Sequence, residues 1–266
     1  MDLENEPGAG RPPATGQASS DPLPPAALRQ RDAGTSDPAW FEESGRRTVL
    51  EWQRALALAG SGWSEPGTIV DFGCGCGRTL RHLLPRLRRD QRLVGLAVDG
   101  EAIGWLQDCY PLVSAFLLRE RPPAPLATAS VDLILSHSVF THLPEELQLA
   151  WVDELARLLR GGGLLLASLH GPRALAEHRA ALRQEGRLEA LDSLDEALRR
   201  KGFWYDAVRL PAENALPASY GLAFHDIGYV QRAWQESFTL VAWLPGFALD
   251  FQDLVILRRK PGTLAQ

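Results

Sequence analysis

The run Ile69-Val70-Asp71-Phe72-Gly73-Cys74-Gly75-Cys76-Gly77-Arg78-Thr79-Leu80 constrains the fold of this chain more than any other stretch. Two β-branched residues lead into an acid, and glycines then fall on alternate positions. A helix is expected over 78–88. Glycine lacks a Cβ, so such a turn takes positive φ and lets a ligand approach the backbone closely. Amides at a helix start can face that ligand. The spacing then excludes two familiar cradles. G-x-G-x-x-G would need glycine at position 78 or 80, where Arg78 and Leu80 stand. A P-loop would need G-K-[ST], and there is no lysine near the run.

Downstream, strand and helix patterns alternate: strand 69–72, helix 78–88, strand 92–98, helix 100–108 and strand 112–118, then strand 131–136, helix 144–160 and strand 163–169. Alternation of this kind implies right-handed βαβ units in a mostly parallel sheet, with ligands beyond the carboxyl ends of its strands. Helix 144–160 opens with Pro144, Glu145 and Glu146, and Gly161-Gly162-Gly163 is expected to end it. The segments 238–243 and 254–257, parted by Pro245-Gly246, read as an antiparallel pair closing the sheet.

Two segments stand apart. Residues 1–36 are rich in Pro, Gly, Ala and Ser without apolar periodicity and are expected to be disordered, ahead of one domain over 37–266 that begins with the cap Asp37-Pro38. Residues 173–202 read as an inserted helical stretch, either surface padding or a lid over the substrate side.

Composition narrows the function classes. A net charge of −5 argues against a general nucleic-acid binder. No apolar run is long enough for a membrane span, and residues 1–36 lack the pattern of a secretory signal. The three cysteines, Cys74, Cys76 and Cys109, form no disulfide framework and suit a reducing, cytoplasmic setting. Cys74 and Cys76 lack the second ligand pair of a zinc site, so no metal is expected.

The glycine run resembles the first motif of the class I S-adenosylmethionine (SAM)-dependent methyltransferases. Val131-Asp132-Leu133-Ile134-Leu135-Ser136 is similar to the fourth-strand motif of that family, and Ser138-Val139-Phe140-Thr141-His142-Leu143-Pro144 to its continuation. Leu158-Leu159-Arg160-Gly161-Gly162-Gly163 resembles its L-R-P-G-G. The elements Phe224-His225-Asp226, Tyr229-Val230, Trp234 and 252–255 resemble a bacterial branch acting on small molecules and sugars. The resemblance spans roughly residues 40–260. It implies a Rossmann-like three-layer α/β sandwich: a seven-stranded, mostly parallel sheet with an antiparallel last strand and SAM across its carboxyl edge.

The resemblance also implies roles for particular residues. Asp71 and the turn through Gly73, Cys74, Gly75 and Gly77 would hold the methionine part of the cofactor, with Ser136 nearby, and Arg78 could meet its carboxylate. The acid that usually ends the second strand and binds the ribose is replaced by Ala97. Asp99 either stands in for it or caps the next helix, the cap being favoured. Glu120 either accepts from the adenine amino group or is a solvated loop acid. For methyl transfer to a hydroxyl, a histidine base suits neutral pH. His137, just after the fourth strand, is the first candidate and His225 the second, whereas His142 is read as ordering its loop. These features point to a methyltransferase acting on a small-molecule or carbohydrate acceptor, at oxygen. Ala97 keeps a second reading open, a non-catalytic binding or scaffold module with a degraded ribose site.

Overall fold

The computed structural model describes residues 22–207, 217 and 219–261. Two helices, α1 (Ala26–Ala33) and α2 (Pro38–Leu58), precede β1 (Thr68–Phe72), α3 (Leu80–Leu83), β2 (Arg92–Ala97), α4 (Gly100–Cys109), β3 (Val113–Leu117), β4 (Val131–Ser136), α5 (Glu145–Leu158) and β5 (Leu159–Leu169). There follow α6 (Pro172–Gln184), α7 (Leu188–Arg200), β6 (Phe203–Asp206), β7 (Leu222–His225), α8 (Ile227–Trp234), β8 (Phe238–Ala248) and β9 (Gln252–Arg259).

Seven strands form one sheet in the order β3-β2-β1-β4-β5-β9-β8. Strands β1 to β5 pair in parallel, and β9 runs antiparallel between β5 and β8. The expected Rossmann-like sheet with an antiparallel last strand is therefore what forms. Both of its faces are covered, which is why its strands read as apolar runs rather than as alternating patterns. Successive β1 residues divide between the two cores. Val70 and Phe72 pack with Phe140, Trp151 and Trp234 on the side of α5 and α8. Ile69 packs with Trp52, Leu80 and Leu106 on the side of α2, α3 and α4. Strand order reverses at β1, between β2 and β4, so the crevice for a ligand opens above the end of β1.

Four boundaries differ from expectation. Pro245-Gly246, expected to part the last two strands, lies inside β8, and the turn to β9 falls at 249–251, where Leu249 and Asp250 take positive φ. Helix 78–88 shrinks to α3 and a single 3-10 turn at Leu84–Arg86, because Pro85 lacks an amide and disfavours helical geometry before it. Helix α5 stops at Leu158, and the glycines expected to end it lie inside β5, where Gly162 takes φ +81 beside a register shift against β4. The stretch 1–36, expected to be disordered, contains α1, with Gly34 in the left-handed conformation at its end. The rest of that expectation, residues 1–21, lies outside the described residues. The 173–202 stretch forms α6 and α7, and it leads into a two-stranded antiparallel sheet, β6 with β7. No helix among the described residues is long and apolar enough to cross a membrane.

Candidate functional site

A cavity of about 680 Å³ opens at the carboxyl ends of β1, β2 and β4. Gly73, Gly75 and Gly77 adopt φ of +89, +51 and +92, the region in which a side chain is strained. A Cβ at Gly73 would collide with Val139, and one at Gly77 with Leu106. The turn thus needs glycine both for its dihedrals and for space.

Asp71, Gly73, Cys74, Gly75, Arg78, Asp99, Glu120 and His137 line the cavity. Gly77 supports the turn from behind, and Ser136 is fully buried at the end of β4 outside the lining, its Oγ without a partner among the described residues. Asp99 makes the helix cap that the sequence favoured. Its Oδ1 caps α4 through the amides of Glu101 and Ala102 at 3.0 and 3.1 Å. Its Oδ2 accepts from Arg31 Nε at 2.8 Å. Ala97 stands two residues earlier, also in the lining. Glu120 is exposed at the rim and accepts from the Ser219 hydroxyl.

Asp71 accepts from the Thr79 hydroxyl, and burial raises its carboxyl to about 7, further supported by Asp32 and opposed by Thr79 and Arg78. The folded chain therefore keeps a proton that an unfolded aspartate releases near 4. The stabilising contribution of this group is fully present below about pH 4 and is lost as the pH rises through about 7. Asp71→Asn cannot ionise, so its thermal midpoint should gain on the wild type between about pH 5 and about pH 8. An offset that stays constant across that range would show that Asp71 ionises like a solvated carboxylate.

The histidines divide in an unexpected way. His137 lies in the lining, and burial together with Arg78 holds its pKa well below the usual value, so it is a neutral imidazole. His225 does not line the cavity. Gln148 uses its amide donor on Phe140 and Leu143 carbonyls at 2.8 and 2.9 Å, so its Oε1 accepts from His225 Nε2 at 2.9 Å. That clip ties β7 to α5, and burial lowers His225 to about 3. His142 both orders its loop and reaches the lining. Its Nδ1 donates to the Gly221 carbonyl at 2.8 Å, its ring stacks on Tyr220, and its Nε2 therefore carries the lone pair.

The site contains residues that reading the sequence did not single out. Leu28, Arg31 and Asp32 of α1 form part of the wall. The available signal was local: Pro24-Pro25 before an eight-residue helix and Gly34 after it, an ordinary start and stop pair. Tyr220, on the return from the inserted helices, was equally unmarked.

Residues 70–165 match the methyltransferase domain family. A malonyl-[acyl-carrier protein] O-methyltransferase of Methylovorus sp. (strain MP688) is 32% identical over 188 residues, covering 65% of this chain and 60% of that protein. A probable S-adenosylmethionine-dependent methyltransferase of Mycobacterium tuberculosis is 29% identical over 145 residues, 51% of each chain. The chain thus spans between half and three fifths of the length of these two relatives. Among solved structures, the 1,6-didemethyltoxoflavin-N1-methyltransferase of Burkholderia thailandensis superposes with a TM-score of 0.55 at 15% identity, covering 89% of this chain and 88% of that one. That likeness shows the shared fold. The residues present fit S-adenosylmethionine, the cofactor for which the mycobacterial relative is named: the glycine turn lines the cavity, and Arg78 Nη1 is buried without a partner among the described residues.

Proposed function

We propose that this chain is a SAM-dependent methyltransferase that methylates a small-molecule or sugar hydroxyl. The observation that carries the proposal is the cavity at the strand-order reversal. Around one space lie the glycine turn, Arg78, whose Nη1 has no partner among the described residues, and the carboxylate of Asp99. SAM supplies a methyl group on a sulfonium, which needs only an aligned nucleophile and exclusion of water. The chain's own residues do the remainder. Arg78 and the turn orient the amino-acid end, and Asp99 offers its remaining lone pairs to the ribose hydroxyls. Val139, Leu143 and Trp151 keep the wall apolar.

At the acceptor side, the proton released by the hydroxyl goes to a neutral imidazole. His137 is supported in this role by its place in the lining and its neutrality, and His142 by its fixed tautomer. His225, held by Gln148 outside the lining, has weaker support. Oxygen as the acceptor atom is favoured by the Methylovorus relative, which is named for O-methyl transfer.

Calorimetric titration with SAM and S-adenosylhomocysteine should give dissociation constants in the micromolar range, about −8 kcal/mol. No heat at millimolar ligand would overturn the proposal. Ala97 favours a second reading, a binding module without turnover. The same titration on Ala97→Asp separates the two. Where the ribose site is degraded, as the second reading has it, a restored acid adds charge-assisted hydrogen bonds and tightens binding by about tenfold. Equal affinities would show that Asp99 already fills that role.

A further inference from the structure

Helix α1 brings its own charged pair to the cofactor cradle. Asp32 Oδ2 accepts from the Cys76 amide at 2.9 Å and from Cys76 Sγ at 3.2 Å, while its Oδ1 lies 3.3 Å from Arg78 Nε. Arg31, the preceding residue, donates to Asp99 at 2.8 Å and to Glu101 at 2.6 Å. The helix is seated by Leu28, which is 2% exposed and packs with Phe41, Cys76 and Ala102. A Cβ at Gly75 would run into the Asp32 carboxylate, so the turn leaves room for this acid as well as for a ligand.

Two features separate a binding role from a purely structural one. Arg78 is satisfied by Asp32 only at Nε, and its Nη1 remains buried without a partner among the described residues. A buried guanidinium donor left open is costly unless an acceptor arrives. Moreover, the cavity persists with α1 docked, and α1 residues form part of its lining. The helix is a wall of the site and not a plug within it.

We propose that Asp32 and Arg78 together read the zwitterionic amino-acid end of the cofactor, Arg78 Nη1 taking the α-carboxylate and Asp32 the α-ammonium. This rests on the methyltransferase reading and extends the cofactor site to a helix that precedes the matched domain by more than thirty residues. A carboxylate and a guanidinium side by side suit a ligand bearing both charges at adjacent positions. They discriminate against a nucleoside that lacks them. Arg31 is a positioning residue, holding the end of α1 to Asp99 so that Asp32 stays over the turn.

Two ligands test this: S-adenosylhomocysteine, and 5′-methylthioadenosine, which keeps the adenosine and thioether but has no amino-acid end. The wild type should bind the first far more tightly. Asp32→Asn should weaken S-adenosylhomocysteine by about tenfold or more while leaving methylthioadenosine within about twofold. Methylthioadenosine also reports that the variant is folded. Loss of both ligands to the same degree would make Asp32 structural and overturn the proposal. Tighter S-adenosylhomocysteine binding would make Asp32 a competitor of the cofactor carboxylate and overturn it equally. Wild-type affinities that are equal for the two ligands would refute the zwitterion site alone. A wild type and variant that bind neither would remove the methyltransferase reading itself.

Discussion

Gly73→Ala should destabilise the chain by about 3 kcal/mol and lower its thermal midpoint by about 5–10 °C. Two costs add at this position. The backbone holds φ +89, where a Cβ is strained by roughly 1–2 kcal/mol. The added methyl also lands on Val139, a β-branched side chain buried at 6% exposure in the core around Phe72 and Phe140. Val139 has few rotamers to retreat to, and overpacking of this kind costs about 1–3 kcal/mol. Gly104→Ala is the control. Gly104 sits in α4 with nothing within 4 Å of a new Cβ, so the change should be neutral or stabilise by up to about 1 kcal/mol. Thermal unfolding of the pair decides. If Gly73→Ala melts with the control, the turn does not hold the conformation described.

Arg78→Gln should abolish measurable S-adenosylhomocysteine binding or weaken it by about a hundredfold. Arg78 is 7% exposed and faces the mostly shielded carboxylate of Asp32, so its removal leaves that charge without its cationic partner. It also removes Nη1, a buried donor at the turn with no partner among the described residues. Lysine should rescue little, because a point charge on a flexible stem cannot serve Asp32 and a ligand from one planar fork. A secondary effect follows at His137, whose neutrality depends on burial and then on Arg78. In Arg78→Gln its pKa should rise toward the ordinary value, visible in the pH titration of its ring protons. A variant that binds S-adenosylhomocysteine like the wild type would dismiss both arguments.

The core sheet was legible because each of its signals is short in range. Ile69 and Val70 declare a buried strand, the alternate glycines declare the turn, and Val131 to Ser136 declare β4 within the observed bounds. The failures occur where tertiary contact outweighs local preference. Gly161-Gly162-Gly163 looks like a helix stop, yet pairing with β4 draws the chain into β5 from Leu159. The Ala26–Ala33 segment has little apolar content, and it is a helix because Leu28, Arg31 and Asp32 each find a partner far along the chain. At the site, Asp71, Gly73, Cys74, Gly75 and Arg78 all lie in the cavity lining. Asp99 was legible as the cap of α4, and its second oxygen is taken by Arg31, which lies 68 residues away from it. His225 and His142 were separated by Gln148 and Gly221, which lie 77 and 79 residues away from them.

The position of β9 between β5 and β8 bears on how the molecule is assembled from a growing chain. Strand β8 is made first, yet among the described residues its ladder partner is β9 alone, and β9 is also the strand that pairs the outer edge of β5. Until residues 252–259 leave the ribosome, β5 presents an open row of amides and carbonyls, the kind of edge that recruits other chains. The same late segment brings Gln252 to Ser138 at 2.5 Å and to the cavity wall. Closing the sheet and finishing the pocket are thus one event, and a nascent chain held short of it has neither a protected edge nor a complete site.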